Sequence, residues 1–108
     1  MANAREELVR FLDQKAFNPV LHAKPDHYSE SDRKKLEHVQ KRTRTEQERY
    51  HKEYKSAEEV RVNFMRDTTS AAAKKVDSGL KRLHLPCLPD LKDEFRSLAE
   101  RLGVKDGH

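Results

Sequence analysis

The sequence predicts an all-α protein: a small bundle of about five helices around one long central helix, at about residues 30–54. Residue types that favour helices, such as Ala, Leu, Glu, Lys, Arg and Gln, dominate the 108 residues. Isoleucine and tryptophan are absent and only three glycines occur, which leaves little from which to build strands. Apolar residues also recur at helical spacing between proline and serine breaks. The length fits a single helical domain over residues 1–108.

The first helix is predicted from about Ala4 to Phe17, with Asn3 as its N-cap and Pro19 as its end. Residues 18–29 contain two prolines and are expected to form a packed loop or a short helical turn.

The long second helix begins near residues 29–32 and carries a single narrow stripe. Thr43 and Gln47 stand in the middle of that stripe in place of aliphatic residues, so this part is expected to be weakly buried or to lie across a partner. The stripe comprises Leu36, Val39, Gln40, Thr43, Gln47, Tyr50 and Tyr54.

A third helix is predicted from the spacing of Ser56 and Glu59, which is typical of a capping box, and it runs to about Arg66. Its apolar residues cover more than half of its circumference, because Val62 and Met65 project away from the face formed by the others. Such a helix is either central in the fold or shared with another chain.

The fourth helix, at about residues 71–83, is predicted to bury one apolar side and to present a basic side to solvent. The fifth begins near Pro89, and Gly103 follows its last turn, so that Val104 can fold back onto it. The last residues, 105–108, are expected to fray. The apolar side of the fourth helix comprises Ala72, Ala73, Val76, Leu80 and Leu83, and the basic side comprises Lys74, Lys75, Lys81 and Arg82.

Several classes of protein are excluded by composition. No stretch approaches the roughly 20 apolar residues that a membrane-spanning helix needs. Charges near the N-terminus interrupt any secretory signal, and the single cysteine, Cys87, cannot form an intramolecular disulfide. These features predict a cytoplasmic protein without a membrane partner.

Neither a metal site nor a catalytic motif is indicated. The six histidines lack the spacing of three or four residues that brings two imidazoles together on a helix, so no metal and no cofactor is expected. Apolar neighbours of Cys87 indicate a buried structural thiol. With no phosphate loop and no nucleophile elbow, the sequence favours a non-enzymatic protein over a catalyst.

The preferred hypothesis is a protein-interaction or regulatory module that self-associates, because Leu, Val and Phe supply only 22 of 108 residues for a core. Its expected contact residues are Val62 and Met65, then Tyr50 and Tyr54. One alternative is binding of nucleic acid or another polyanion through Lys74, Lys75, Lys81 and Arg82, since residues 61–83, one of two basic regions, sum to +4. Another is a small enzyme or ligand carrier whose pocket is assembled from distant helices.

Overall fold

A computed structural model describes residues 3–105 and confirms the all-α prediction. The five predicted helices are present, and no strand occurs in the described residues. Six α-helical segments follow one another along the chain: α1 (Ala4–Leu12), α2 (Asn18–Leu21), α3 (Glu30–Lys52), α4 (Ala57–Thr69), α5 (Ala71–Arg82) and α6 (Leu88–Arg101). Of the tail that was expected to fray, residues 106–108 lie outside the described part.

The first helical region is longer than the sequence predicts. Asn3 caps α1 as expected, its side chain accepting a hydrogen bond from the Glu6 amide. The helix then passes through a π-helical turn, Asp13–Phe17, directly into α2. The prediction that Pro19 ends this region is therefore wrong, since Pro19 lies at the start of α2, where a missing amide hydrogen costs little.

The long helix α3 is held at both ends. Ser29 caps its N-terminus by accepting a hydrogen bond from the Asp32 amide. At its C-terminus the Arg5 guanidinium donates to the carbonyls of Tyr54 (2.6 Å), Tyr50 (3.1 Å) and His51 (2.6 Å). These last carbonyls have no partner within the helix, so a cation from α1 both satisfies them and ties the two helices together.

Helices α4 and α5 meet at Ser70. This residue ends α4 and caps α5, its hydroxyl accepting from the Ala73 amide at 3.0 Å. Ser56 caps α4 as predicted and accepts from the Glu59 amide at 3.1 Å, although α4 extends to Thr69 rather than to Arg66.

The end of α6 confirms a local prediction. Gly103 adopts a left-handed conformation with φ of 73°, and Val104 is buried. The amide of Val104 donates to the carbonyl of Ala99 at 2.9 Å and that of Gly103 to Glu100 at 3.0 Å, which is the Schellman pattern. The buried Arg61 of α4 donates to the Val104 carbonyl at 2.8 Å, so this helix end is fixed to the interior.

Buried side chains form two separate clusters. The first, named here the large core, joins α1, the π-helical turn, the end of α3, α4 and α6. The second, the small core, joins α2, the first half of α3, the end of α5 and the residues after it. The large core contains Leu8, Val9, Leu12, Ala16, Phe17, Tyr50, Ala57, Val60, Phe64, Phe95, Ala99 and Val104, and the small core contains Val20, Leu36, Val39, Leu80, Leu83 and Cys87.

Helix α5 buries less of its apolar side than predicted. Leu80 and Leu83 are buried, but Ala73 and Val76 are only half-buried and Ala72 is exposed. The prediction that all five residues are buried is therefore wrong for three of them. The reason is geometric, because Ala72, Ala73 and Val76 line the cavity and are therefore covered only in part by the rest of the chain.

Candidate functional site

A cavity of about 220 Å³ lies between α3 and α5, where the two cores meet. Its floor is formed by side chains of both cores, including Phe17 of the large core and Val20 of the small one. The apolar side of α5 forms one wall, the polar flank of α3 forms another, and the proline-rich start of α6 closes the end. Its lining comprises Ala16, Phe17, Val20, Arg42, Thr43, Glu46, Arg49, Asp67, Ser70, Ala72, Ala73, Val76, Asp77, Leu80, Pro86, Leu88 and Pro89.

Two contacts fix how α5 lies on α3. A methyl group at Gly79 would lie 3.9 Å from Cγ1 of Val39, so the helices touch at this point. Toward the end of α5, Nε of Arg82 lies 3.2 Å from Oδ1 of Asp32. Later positions on α5 thus pair with earlier positions on α3, so the helices run antiparallel.

The acidic side chains of the cavity already have partners in the chain. Asp67 accepts a hydrogen bond from the Tyr50 hydroxyl at 2.8 Å. Glu46 pairs with Arg49 at 3.4 Å, and Asp77 pairs with Lys81 at 3.4 Å. Each carboxylate is thus engaged through at least one oxygen, but Oδ1 of Asp77 is buried without a hydrogen-bond partner in the described residues.

Burial and charge shift the pKa of two of these groups. Desolvation, followed by the nearby charge of Asp67, raises the pKa of Glu46 above its ordinary value. Desolvation and the same carboxylate also raise the pKa of Tyr50, so its phenol stays protonated and serves as a donor. The Tyr50 hydroxyl is held as a donor to Asp67.

The buried thiol of Cys87 is also unreactive in character. It donates a hydrogen bond to Oδ2 of Asp90 at 2.9 Å. Burial, together with the carboxylates of Asp77 and Asp90, raises the pKa of the thiol well above its ordinary range. The expected burial of Cys87 is confirmed, with 1% of the residue exposed.

The basic side chains along the seam between α3 and α5 are less engaged. Arg42 lines the cavity and is exposed, and within the described residues it makes no hydrogen bond or ion pair with another side chain. Lys75 is equally exposed and equally without such a partner in residues 3–105.

The residues predicted to contact a partner occupy different environments. Tyr50 is 0% exposed and packs edge-on against Tyr54 with ring centroids 4.9 Å apart, so its assignment to an interface is wrong. Tyr54 and Met65 are half-buried against the large core. Val62 is 42% exposed and is the one large hydrophobic residue exposed in residues 3–105. A single exposed valine does not make an apolar patch.

The predicted polyanion-binding residues divide into two pairs. Lys81 and Arg82 are engaged by Asp77 and Asp32. Lys74 and Lys75 are exposed, and neither has a side-chain partner in the described part of the chain. Polyanion binding through all four residues stays a prediction. Two of the four positive charges are already paired with carboxylates of the chain.

The described residues also bear on two other classes of site, metal-ligand groups and membrane-spanning helices. No group of three His, Cys, Asp or Glu side chains is placed to hold a metal ion in residues 3–105. None of the helices in this range is both long and apolar enough to cross a membrane. Comparisons with protein-family models, curated proteins and solved structures find no match for this chain.

Sequence reasoning missed most of the cavity but contained one signal for it. Thr43 interrupts the apolar stripe of α3, and it lines the cavity as a half-buried residue. Gln47 interrupts the same stripe for another reason, since its amide donates to Asp13 (3.0 Å) and Asn18 (3.2 Å). A polar residue in such a stripe thus marks either an internal hydrogen bond or an open surface, and spacing alone does not separate them.

Proposed function

We propose that this protein is a non-enzymatic interaction module and that the cavity between α3 and α5 receives an apolar side chain of a partner protein. The observation that carries the proposal is the incomplete cover of α5. Its apolar side lines the cavity at Ala73 and Val76, which stay partly exposed although Val76 also packs against the small core. The helix itself is capped and joined firmly at Ser70. An apolar wall that the chain does not cover is stabilised when a partner covers it.

The size of the cavity favours a side-chain anchor over a small-molecule ligand. Pockets that enclose a small molecule usually measure about 300–1,000 Å³, whereas this cavity measures about 220 Å³. A few well-buried anchors carry most of the binding energy at protein interfaces, and they fill pockets of this kind. The surrounding charged side chains would then form the polar rim of the interface.

The partner we propose is a different protein rather than a second copy. Self-association is predicted from apolar residues that one copy leaves exposed. Among the described residues, the one large hydrophobic side chain that is exposed is Val62. A second copy docking by the same face would also bring its own Arg42 toward this one, and like charges disfavour that contact. Light scattering that gives a monomer mass across micromolar concentrations is the expected result.

The proposal is tested by capture from native cell extract with three baits: the unchanged protein, Ala73→Leu and Ala71→Leu. The first substitution fills the cavity from α5, while the second adds the same side chain at an exposed position of the same helix outside the cavity. We expect one protein to be retained by the unchanged bait and by Ala71→Leu and lost by Ala73→Leu. Calorimetry with that protein purified should give a 1:1 complex.

The proposal is contradicted if all three baits recover every protein equally. It is also contradicted if no protein is lost specifically from the Ala73→Leu bait. Circular dichroism establishes that the variants fold. Val76→Met, which fills the same space from the next turn of α5, provides a second cavity variant that must behave as Ala73→Leu does.

A further inference from the structure

We infer that the side chain of the partner that enters the cavity is a tryptophan, whose indole ring lies on the apolar wall of α5 and whose N–H donates to the carboxylate of Asp77. This inference rests on the proposed function and names the chemistry of the anchor. It follows from one buried acceptor that has no donor and from the charges that line the cavity.

The acceptor without a donor is Oδ1 of Asp77, which is buried and has no hydrogen-bond partner within residues 3–105. The other oxygen of this carboxylate lies 3.4 Å from Nζ of Lys81. A buried acceptor that lacks a donor costs free energy, and a new donor recovers it. Because Asp77 lines the cavity, that donor can belong to the side chain that enters it.

The neighbouring thiol of Cys87 does not supply this donor. Burial raises the pKa of the thiol, and the nearby carboxylate of Asp77 raises it further. The single proton of the thiol, however, is donated to Oδ2 of Asp90 at 2.9 Å. The side chain of Asp77 is 16% exposed, and the terminal torsion of an aspartate is broad, so its carboxylate can turn toward a donor in the cavity.

The charges that line the cavity favour a neutral anchor. Charges of both signs are present, since the three carboxylates stand against two guanidinium groups, those of Arg42 and Arg49. An anion that enters meets the carboxylates, a cation meets the guanidinium groups, and either one gives up its hydration. A neutral N–H avoids these costs and still forms a charge-assisted hydrogen bond with a carboxylate.

Tryptophan combines the features that the cavity requires. Its indole N–H is a donor only, so it presents no lone pair to the carboxylates, whereas the hydroxyl of a tyrosine does. Its ring is large and apolar enough to cover Ala73 and Val76. Ala73 and Asp77 lie four residues apart on α5, so a ring that covers the first has its edge beside the second. The indole face also attracts guanidinium groups, and Arg42 is exposed in the lining.

The probes are four tripeptides, acetyl-Ala-X-Ala-amide, in which X is tryptophan, benzothienylalanine, lysine or glutamate. Benzothienylalanine has nearly the shape of tryptophan, but sulfur replaces the N–H, so the donor is lost. Each peptide is titrated into the ¹⁵N-labelled full chain while amide shifts are followed by NMR. We expect the tryptophan peptide to perturb the amides of Thr43, Ala73 and Val76 and to bind about 3- to 10-fold more tightly than the benzothienyl peptide.

Fluorescence provides a second readout of the same binding. The chain contains no tryptophan, so indole emission comes from the peptide alone. The emission should shift to shorter wavelength as the ring leaves water and enters the cavity. The lysine and glutamate peptides should bind more weakly than the tryptophan peptide by NMR.

Matched variants test the acceptor of the indole N–H. Asp77→Ala removes the carboxylate and should abolish the preference for the tryptophan peptide over the benzothienyl peptide. Glu48→Ala removes a carboxylate from an exposed position of α3 outside the cavity and should leave that preference unchanged. Asp77→Asn keeps an acceptor without its charge and should reduce the preference, and it carries the test should Asp77→Ala fail to fold. Ala73→Leu should abolish binding of both peptides, because the ring then has no cavity to enter.

Each other outcome overturns the inference in a distinct way. Equal binding of the tryptophan and benzothienyl peptides at the cavity removes the donor and leaves the proposed function standing. A preference that persists in both Asp77 variants gives the N–H a different acceptor. Tighter binding of the lysine or the glutamate peptide replaces the neutral anchor by a charged one. Failure of all four peptides to perturb the cavity removes the inference and the proposed function together.

Discussion

The two cores of this protein differ in the side chains that build them. The large core holds all six aromatic rings that pair with one another, four of them buried and two partly buried, and Phe64 and Phe95 stack with centroids 4.1 Å apart. The small core has no buried aromatic ring and is built from aliphatic side chains and one thiol. Aromatic side chains bury roughly 150–250 Å² each, so the large core contributes far more apolar burial.

This difference explains where the cavity lies. Helix α4 buries three apolar side chains, Ala57, Val60 and Phe64, in the large core. Helix α5 buries only Leu80 along its length, and it rests on α3 at the narrow contact of Gly79 with Val39. Helices with few buried side chains open at a lower free energy than the rest of a fold. The part of the molecule that we propose binds a partner is thus less completely packed than the large core.

The largest expected effect is a contrast between the cores. Phe95→Ala, in the centre of the large core, should lower the free energy of unfolding by about 3–5 kcal/mol, because it removes a fully buried ring. Val76→Ala, beside the cavity, should cost only about 1 kcal/mol or less, since this side chain is already half exposed. Urea denaturation at 25 °C measures both. Similar losses for the two variants would contradict the contrast, and Phe95→Leu provides a milder version should Phe95→Ala fail to fold.

The two helix ends sharpen the same comparison. Helix α6 ends at Gly103 in the left-handed conformation, whereas α5 ends at His84, which adopts the same conformation with φ of 60°. The hydrogen bonds match, because Leu85 donates to Leu80 at 2.9 Å as Val104 does to Ala99. A side chain other than glycine is strained there.

His84→Gly should therefore stabilise the protein by about 0.5 kcal/mol, and Gly103→Ala should destabilise it by about 1 kcal/mol. A Cβ atom at Gly103 would meet nothing within 4 Å, so that cost comes from the backbone alone. Thermal unfolding of the two variants is the measurement. A loss of stability in His84→Gly would show that the His84 side chain contributes more than its backbone strain costs.

The smallest effect concerns Glu46 and has a defined pH dependence. Its pKa is raised in the folded protein by desolvation and by Asp67, so ionisation of this group opposes folding. The penalty is absent below the unfolded value of about 4.5 and complete above the raised folded value. Glu46→Gln should be more stable than the unchanged protein at pH 7 by about 0.5 kcal/mol or less, and the difference should vanish near pH 4. A variant that is less stable at pH 7 would mean that the Glu46–Arg49 pair outweighs desolvation.

Local signals predicted local structure well. The Ser56 cap, the Asn3 cap and the turn at Gly103 were readable because each depends on residues within one or two helical turns. The prediction that Pro19 ends the first helix fails for a related reason. Proline ends a regular helix, but the preceding π-helical turn changes the hydrogen-bond pattern, and spacing does not reveal that turn.

Tertiary features were harder to predict from the sequence. Periodicity identified the apolar side of α5 but not what would cover it, which depends on how α3 and α6 are placed. The sparse stripe of α3 to which Tyr50 belongs indicates an interface residue, but the structure buries it. Its ring packs against Phe17, with ring centroids 5.6 Å apart, and its hydroxyl donates a hydrogen bond to Asp67. Phe17 and Asp67 both lie far from Tyr50 in sequence, so helical spacing does not reveal these two contacts.

The most direct test of an unfilled cavity between α3 and α5 is the change in free energy of unfolding caused by Ala73→Leu, measured by urea denaturation against Ala71→Leu. If the space is open, the added side chain enters it and stabilises the protein by about 0.5–1 kcal/mol relative to the control. If the space is closed in solution, the larger side chain overpacks the contact and the variant loses about 1–3 kcal/mol. The first result is the one predicted here, and the second would contradict the account of the site.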